Sequence, residues 1–222
     1  KAINDFVLGC KNDGIWDAIK ACCILAGART TNGALVPLVG DAPDPYNFDL
    51  VDDTDYDRKT GLKGDGSTKY LNSNRNNNAD PQNSQHLFAR VSTVGDNTRA
   101  YLGAGGAEAG ASFIGVGAAV LLTRSRSATA ITGPNLTTAT NVGLSRASAS
   151  EYSTRCVGIA NVIAQASTTP VVGDIYVFQR NAALPLTANA RLAFYSIGES
   201  LDLAALDTRV SDLITAIGAA IP

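Results

Sequence analysis

The segment HLFARV, residues 86–91, has the alternation of a half-buried β-strand and sets the interpretation of the rest of the chain. Leu87, Ala89 and Val91 share one face of the extended backbone, because successive side chains point to opposite sides. Downstream, short apolar runs recur about every ten residues between clusters of Gly, Ser, Thr, Asn and Pro. The candidate strands there are 99–104, 112–116, 120–124, 141–147, 152–159, 161–165, 174–180 and 191–197. This spacing is typical of an antiparallel sandwich or barrel, so it predicts a mainly β fold.

The β pattern also extends upstream of this segment. Over residues 33–66, short apolar pieces alternate with prolines and aspartates, which is typical of short strands and loops. We therefore expect a two-sheet antiparallel sandwich over residues 33–198, flanked by a helical segment at 1–32 and a helix at 199–222.

The N-terminal flank contains GIWDAIKACCILA, residues 14–26, whose apolar residues recur at helical spacing. Asn12 or Asp13 can cap such a helix, and Gly27 can end it. The pattern predicts a mostly buried helix packed on the sandwich.

The C-terminal flank carries an apolar stripe with spacings of three and four residues, and Ser200 can cap the helix that holds it. The stripe consists of Leu203, Leu206, Val210, Leu213 and Ile217. It predicts one helix docked on the sandwich, and the alternative is a short coiled-coil seam in an oligomer.

The four cysteines, Cys10, Cys22, Cys23 and Cys156, match no zinc or haem spacing. We expect reduced, buried thiols that act as small apolar side chains. A Cys10–Cys156 disulfide is the alternative.

Composition excludes several classes of protein. The 222 residues carry a net charge of −2 and only 17% charged residues, which leaves no basic surface for nucleic acid. One histidine cannot build a multi-histidine metal site, and no apolar run reaches the length of a membrane span. The chain begins with Lys1 and contains no methionine, so we expect part of a longer protein or a sequence trimmed of its first residue.

Residues suited to catalysis are few. His86 lies in mid-strand with no acid nearby in sequence, and no GxSxG segment is present. The three glutamates, Glu108, Glu151 and Glu199, are far apart in sequence, whereas glycan cleavage needs two paired carboxylates. We therefore expect no enzymatic activity, with a glycan depolymerase as the enzymatic alternative.

Asp53, Asp55 and Asp57 alternate in a way that can converge on a calcium ion. Arg58 and Gly64 stand where the EF-hand spacing requires glycine and glutamate, so an acidic surface loop is the favoured interpretation. No other cofactor is expected.

The segment NSNRNNNADPQNSQ, residues 72–85, predicts an exposed polar loop. Amide groups both donate and accept hydrogen bonds and so suit sugar hydroxyls, and a nearby tyrosine can stack on a sugar ring. The candidate glycan-binding residues are Tyr70, Asn72, Asn74, Arg75, Asn76, Asn77 and Asn78.

Three long strings of this sequence resemble a group of bacteriophage virion proteins. They are NDFVLGCKNDGIWDAIKACCILAGA at 4–28, RKTGLKGDGSTKYLNSNRNNNADPQNSQH at 58–86 and ARLAFYSIGESLDLAALDTRVSDLITAIGAA at 190–220. The resemblance implies a concanavalin A-like, or laminin-G-like, jelly-roll sandwich. It also implies association with the virion and adhesion. The partners we expect are other virion proteins and a host-surface glycan, and a homotrimer is the oligomer we expect. The resemblance transfers no catalytic motif.

These observations together predict a structural protein on the surface of a phage particle, in a tail fibre or similar appendage. Such a protein would be made in the bacterial host cytoplasm and would neither bind nucleic acid nor insert into a membrane. The alternative is a capsid decoration or cement protein without a receptor role.

Overall fold

One sheet, sheet A, has nine strands, and its centre is the pair formed by β7 (Gln85–Thr93) and β17 (Arg191–Gly198). The structure, a computed structural model, describes residues 1–96 and 98–222. In spatial order the sheet runs β14 (Ile159–Ile163), β13 (Tyr152–Cys156), β12 (Thr140–Arg146), β7, β17, β1 (Ile19–Ile24) and β2 (Pro37–Val39). The start of β17 also pairs with β5 (Gly61–Lys63), which carries β4 (Tyr56–Asp57).

The second sheet, sheet B, has eight strands. In spatial order it runs β11 (Ile131–Asn135), β10 (Val120–Ser125), β9 (Ser112–Gly117), β8 (Arg99–Ala104), β15 (Asp174–Val177), β6 (Tyr70–Asn76) and β3 (Asp44–Tyr46). A short β16 (Arg180–Asn181) runs parallel to β8, and the other pairs in both sheets are antiparallel. The predicted mainly β, two-sheet antiparallel sandwich of the jelly-roll kind is confirmed.

The central strands of sheet A, β7 and β17, are buried on both of their faces. Leu87 and Tyr195 point inward and share an apolar core with residues of sheet B. Phe88 and Phe194 point outward, where Phe6 lies edge-on to Phe194 at 5.6 Å between ring centroids. Helix α1 (Ala2–Asn12), which carries Phe6, and helix α3 (Leu203–Ala220) together cover this outer face. The short helix α2 (Thr31–Ala34) follows β1.

The predicted helix over residues 14–26 is wrong. After a single 3-10 turn at Trp16–Ala18, the segment forms β1, whose Cys23 faces sheet B while Cys22 faces the helices. A strand covered on both faces consists of consecutive apolar residues, and periodicity cannot distinguish it from a buried helix. The segment at 1–32 is therefore only partly helical, because β1 belongs to the sandwich.

The C-terminal helix is confirmed. Its stripe of leucine, valine and isoleucine is buried against sheet A, so the stripe docks on the sandwich as the first of the two interpretations predicts. Asp202, rather than Ser200, caps it, because the Asp202 carboxylate accepts hydrogen bonds from the backbone N–H groups of Ala204 and Ala205.

The cysteines are free and buried, as expected. Burial raises the pKa of the Cys10 and Cys23 thiols to about 12 and that of Cys156 to about 11, so all three are protonated at neutral pH. No described helix is long and apolar enough to cross a membrane.

His86 is a buried strand residue that joins β7 to the chain beyond β17. Its Nδ1–H donates to the Glu199 carbonyl at 2.6 Å, which makes Nε2 the acceptor for the Ser196 hydroxyl at 2.7 Å. Burial lowers the pKa of His86 to about 4, because the charged ring would lose its water.

We predict that the folded protein loses about 3 kcal/mol of stability as the pH falls from about 6.5 to about 4. In this window the unfolded state binds a proton at His86 and the folded state does not, so the free energy of unfolding rises with pH. Urea unfolding of the wild-type chain and of His86→Gln at several pH values measures the effect. The variant should show a smaller loss between these pH values, and equal losses would contradict the assignment to His86.

Candidate functional site

The start of the asparagine-rich segment predicted as an exposed loop is a strand: residues 72–76 belong to β6, and residues 77–84 form the turns that lead to β7. The alternate residues Leu71 and Ser73 of β6 are fully buried, and the Ser73 hydroxyl donates to the Ile175 carbonyl of β15 at 2.5 Å. Asparagine has a low propensity for β-strands, but hydrogen-bonded pairing with β3 on one side and β15 on the other outweighs it. The residues between the buried ones lie on the outer face of sheet B.

Three tyrosines form a stack across this outer face. Tyr46 of β3 and Tyr70 of β6 lie 4.3 Å apart between ring centroids with planes 5° apart, and Tyr176 of β15 lies 4.7 Å from Tyr70. Tyr46 ends the stack and is 43% exposed. Burial raises the pKa of Tyr70 and Tyr176, so their hydroxyls stay protonated at neutral pH and can donate hydrogen bonds.

A row of polar side chains runs beside the stack. The Asn72 amide donates to Asp174 at 3.1 Å, and the Asn74 amide donates to Asp44 at 3.1 Å. Asn76 approaches the other oxygen of Asp174 at 3.5 Å. These bonds orient the side chains, and each carboxylate keeps lone pairs that can accept further hydrogen bonds. We call the three tyrosines and these five residues the tyrosine face.

The structure divides the seven predicted glycan-binding residues. Tyr70, Asn72, Asn74 and Asn76 lie on the tyrosine face, as described above. Arg75 pairs with the buried Asp80, so its guanidinium serves the fold. Asn77 is fully buried, where its amide donates to the carbonyls of Gly110 and Val171. Asn78 is exposed in the turn that follows β6.

Four residues of the tyrosine face escaped the sequence prediction: Asp44, Tyr46, Asp174 and Tyr176. A signal was present, because Asp44–Tyr46 and Asp174–Val177 both begin with the pattern Asp-x-Tyr in an extended segment. That pattern places an acid and a ring on the same side of a strand. Their pairing on either side of β6 only follows from the sheet topology.

A buried arginine supports the turn between β6 and β7. Arg126 is 1% exposed, and its guanidinium donates to the carbonyls of Asn77 and Pro81 at 2.5 Å each and of Ser84 at 3.2 Å. Burial lowers the pKa of Arg126 to about 10, which leaves it charged at neutral pH. Arg126, a residue distant in sequence, therefore stabilises the turn from the buried side.

Asp53, Asp55 and Asp57 do not converge on one point. The Asp53 carboxylate accepts the backbone N–H of Thr31 at 2.6 Å, and Asp55 pairs with Lys69 at 2.5 Å. Asp57 accepts hydrogen bonds within its own turn. Among residues 1–96 and 98–222, no group of three or more Cys, His, Asp or Glu side chains could hold a metal ion.

Two cavities lie away from the tyrosine face. One of about 300 Å³ lies between the start of α3 and strands β13 and β14. One of about 1160 Å³ lies between the start of α1, β2 and the end of α3, and its lining is mostly apolar. Neither combines aromatic rings with oriented amides and carboxylates, so we consider the open tyrosine face the better candidate for a ligand rich in hydroxyl groups.

No protein-family model matches the sequence, and no curated protein matches it either. Solved structures do match its fold. A structure of botulinum neurotoxin type C, whose cell entry depends on interaction with two ganglioside molecules, matches with a TM-score of 0.56 and 12% sequence identity. The match covers 93% of this chain and 52% of that chain, so the chain spans about half of the solved one. At this identity the likeness shows the fold alone.

The prediction that the chain is not an enzyme requires correction. Structural neighbours include the enzymatically active domain of tailspike protein 2 of bacteriophage CBA120, with a TM-score of 0.47, 11% identity, and coverage of 80% of this chain and 31% of that one. A Trypanosoma rangeli sialidase matches with a TM-score of 0.49, 15% identity, and coverage of 91% and 33%. Enzymes thus stand among the neighbours, and the scarcity of glutamate and histidine does not exclude activity. The likenesses transfer no catalytic residue.

We predict that Asn77→Ala destabilises the fold by about 3 kcal/mol, because it leaves two buried carbonyls and the Gln85 amide without their partner. Asn78→Ala, one position along in the exposed turn, should change stability by less than about 0.5 kcal/mol. Urea unfolding of the two variants measures the difference. Equal losses would show that Asn77 is not the structural member of the pair.

Proposed function

We propose that this sandwich is a glycan-binding domain, and that the tyrosine face is its binding surface. The observation that carries the proposal is the stack of Tyr46, Tyr70 and Tyr176 beside a hydrogen-bonded row of amides and carboxylates. A sugar presents an apolar C–H face and a rim of hydroxyls, and this surface offers a partner for each.

The ring of Tyr46 supplies the apolar contact. It ends the stack and is exposed over 43% of its surface, so a sugar can lie against it without displacing another side chain. Stacking on Tyr70 holds the ring in one orientation, and a ring that is already ordered loses little entropy when a ligand binds.

The polar row fixes the orientation of the bound sugar through hydrogen bonds. Asp44 and Asp174 accept hydrogen bonds from sugar hydroxyls, and hydrogen bonds to ionised carboxylates are among the stronger ones. Asn72 and Asn74 hold the two carboxylates in place and keep donor and acceptor capacity of their own. The surface therefore favours a neutral, hydroxyl-rich glycan over an anionic one.

We propose further that the domain belongs to the surface of a phage particle, in a tail fibre or similar appendage that contacts the host. The sequence resemblance to phage virion proteins supports this placement. A botulinum neurotoxin structure of similar fold, whose cell entry depends on interaction with two ganglioside molecules, supports the glycan-binding role and has no bearing on the placement. Mass spectrometry of purified particles tests the placement, and absence of the chain from them would contradict it.

We predict that Tyr46→Ala weakens binding to a glycan about tenfold, whereas Tyr46→Phe, which keeps the ring, binds within about threefold of the wild type. The probe is an array of bacterial surface polysaccharides, followed by calorimetry on the best binder. A wild-type chain that binds no glycan, or a Tyr46→Ala variant that binds as well as the wild type, would contradict the proposal.

Asn72→Ala tests the polar row. We expect it to weaken binding to the same glycan, because it removes the amide that orients Asp174. Asn78→Ala is the matched control, since the same substitution falls in the exposed turn, off the face, and should leave affinity unchanged. Equal effects of the two substitutions would place the glycan somewhere other than the tyrosine face.

A further inference from the structure

Strand β14 differs from the strands that end the two sheets elsewhere. In the described part of the chain, the main strand orders end at β14 and β2 in sheet A and at β11 and β3 in sheet B. The other three contain a proline, Pro37, Pro134 and Pro45 respectively. Proline lacks an N–H group, so it prevents regular pairing with another chain. β14 contains no proline and no charged residue, so nothing in its sequence opposes the addition of a strand.

β14 is also exposed although it is apolar. Ile159 is 53% exposed and Val162 is 64% exposed, and Val157, just before the strand, is 49% exposed. One edge of β14 is bonded to β13 from Tyr152↔Ile163 to Cys156↔Ile159. The opposite edge has no neighbouring strand among the described residues, so its backbone groups are available to pair.

The sequence of β14 is complementary to itself. In an antiparallel pair centred on Asn161, each Ile159 lies opposite an Ile163, each Ala160 lies opposite a Val162, and the two Asn161 residues face each other. All cross-strand pairs are then apolar or amide-to-amide, and no like charges meet. A two-fold axis through Asn161 produces this arrangement.

The smaller cavity lies over the outer face of sheet A beside this edge. It is lined by Ser153, Arg155 and Ala160, which share the outer face of sheet A, and by the start of α3. In the two-fold pair, Val162 of the second copy lies opposite Ala160, at the edge of this cavity. The apolar side chain then has a recess of about 300 Å³ beside it.

We propose that β14 is a self-association site, at which two copies of this chain join their nine-stranded sheets edge to edge. The occupant is a second copy because the strand is complementary to itself, carries no charged residue and has no neighbouring strand on its outer edge among the described residues. The two-fold pair uses the free edge of β14 in both copies, so no third copy can join through β14. The predicted homotrimer would require a different contact. The tyrosine face lies on sheet B, so the proposal stands or falls independently of glycan binding.

Sedimentation equilibrium tests the proposal. We expect the wild-type chain to approach twice its 22.9 kDa mass as its concentration rises. Val162→Lys should weaken association at least tenfold, because it places a charge in both Ala160–Val162 pairs, where a small apolar side chain lies opposite it. Val51→Lys is the matched control, since Val51 is 88% exposed and lies far along the chain from β14, and it should associate like the wild type. A monomer at all concentrations, a trimer, or a Val162→Lys dimer as tight as the wild type would overturn the proposal.

A covalent trap tests the register. In the two-fold pair, Asn161→Cys places two thiols opposite each other, and mild oxidation should give a disulfide-linked dimer on a non-reducing gel. The four native cysteines are buried and do not compete. Val51→Cys should stay uncrosslinked under the same conditions. Failure of Asn161→Cys to crosslink in a chain that dimerises would overturn the assignment to β14.

Discussion

The pairing of β7 with β17 is the constraint on which the rest of the structure depends. It joins residues about one hundred positions apart, with Leu87 opposite Ile197 and Ala89 opposite Tyr195. One face of the pair closes the core against sheet B, and the other receives α1 and α3. His86 adds two hydrogen bonds at the end of the pair, to Ser196 and to the Glu199 carbonyl. Without this pair neither the inter-sheet core nor the platform for the helices exists.

The same strand alternation that builds the core builds the tyrosine face. Leu71 and Val177 point inward, which forces Tyr70 and Tyr176 outward on neighbouring strands. Three of the chain's charged side chains are buried: Arg124, Arg126 and Arg146 are at most 3% exposed. Each bonds several backbone carbonyls, so these arginines satisfy the loops that leave the sheets.

The two proposed surfaces lie on different sheets, which makes them compatible. Self-association through β14 extends sheet A and leaves the outer face of sheet B open. A two-fold pair then carries two tyrosine faces, so two weak contacts to a repeating surface glycan act together. Open aromatic faces commonly bind sugars weakly one at a time, and pairing would give the domain useful avidity without a deeper binding site.

The sequence by itself determined the class of fold and the C-terminal helix, whereas the structure decided between free cysteines and a Cys10–Cys156 disulfide. Alternation, turn residues and the Leu203-to-Ile217 stripe are local signals, and each reports on which side of an element is buried. The sequence also placed Tyr70, Asn72, Asn74 and Asn76 in one candidate site. Only the tertiary structure decided that residues 19–24 form a strand, because covering both faces removes the periodicity that separates strand from helix. It also decided that Asn77 is buried, and that Tyr46 and Tyr176 join Tyr70. Those contacts join residues 24 and more than 100 positions apart through sheet pairing, and no local pattern in a single chain carries that information.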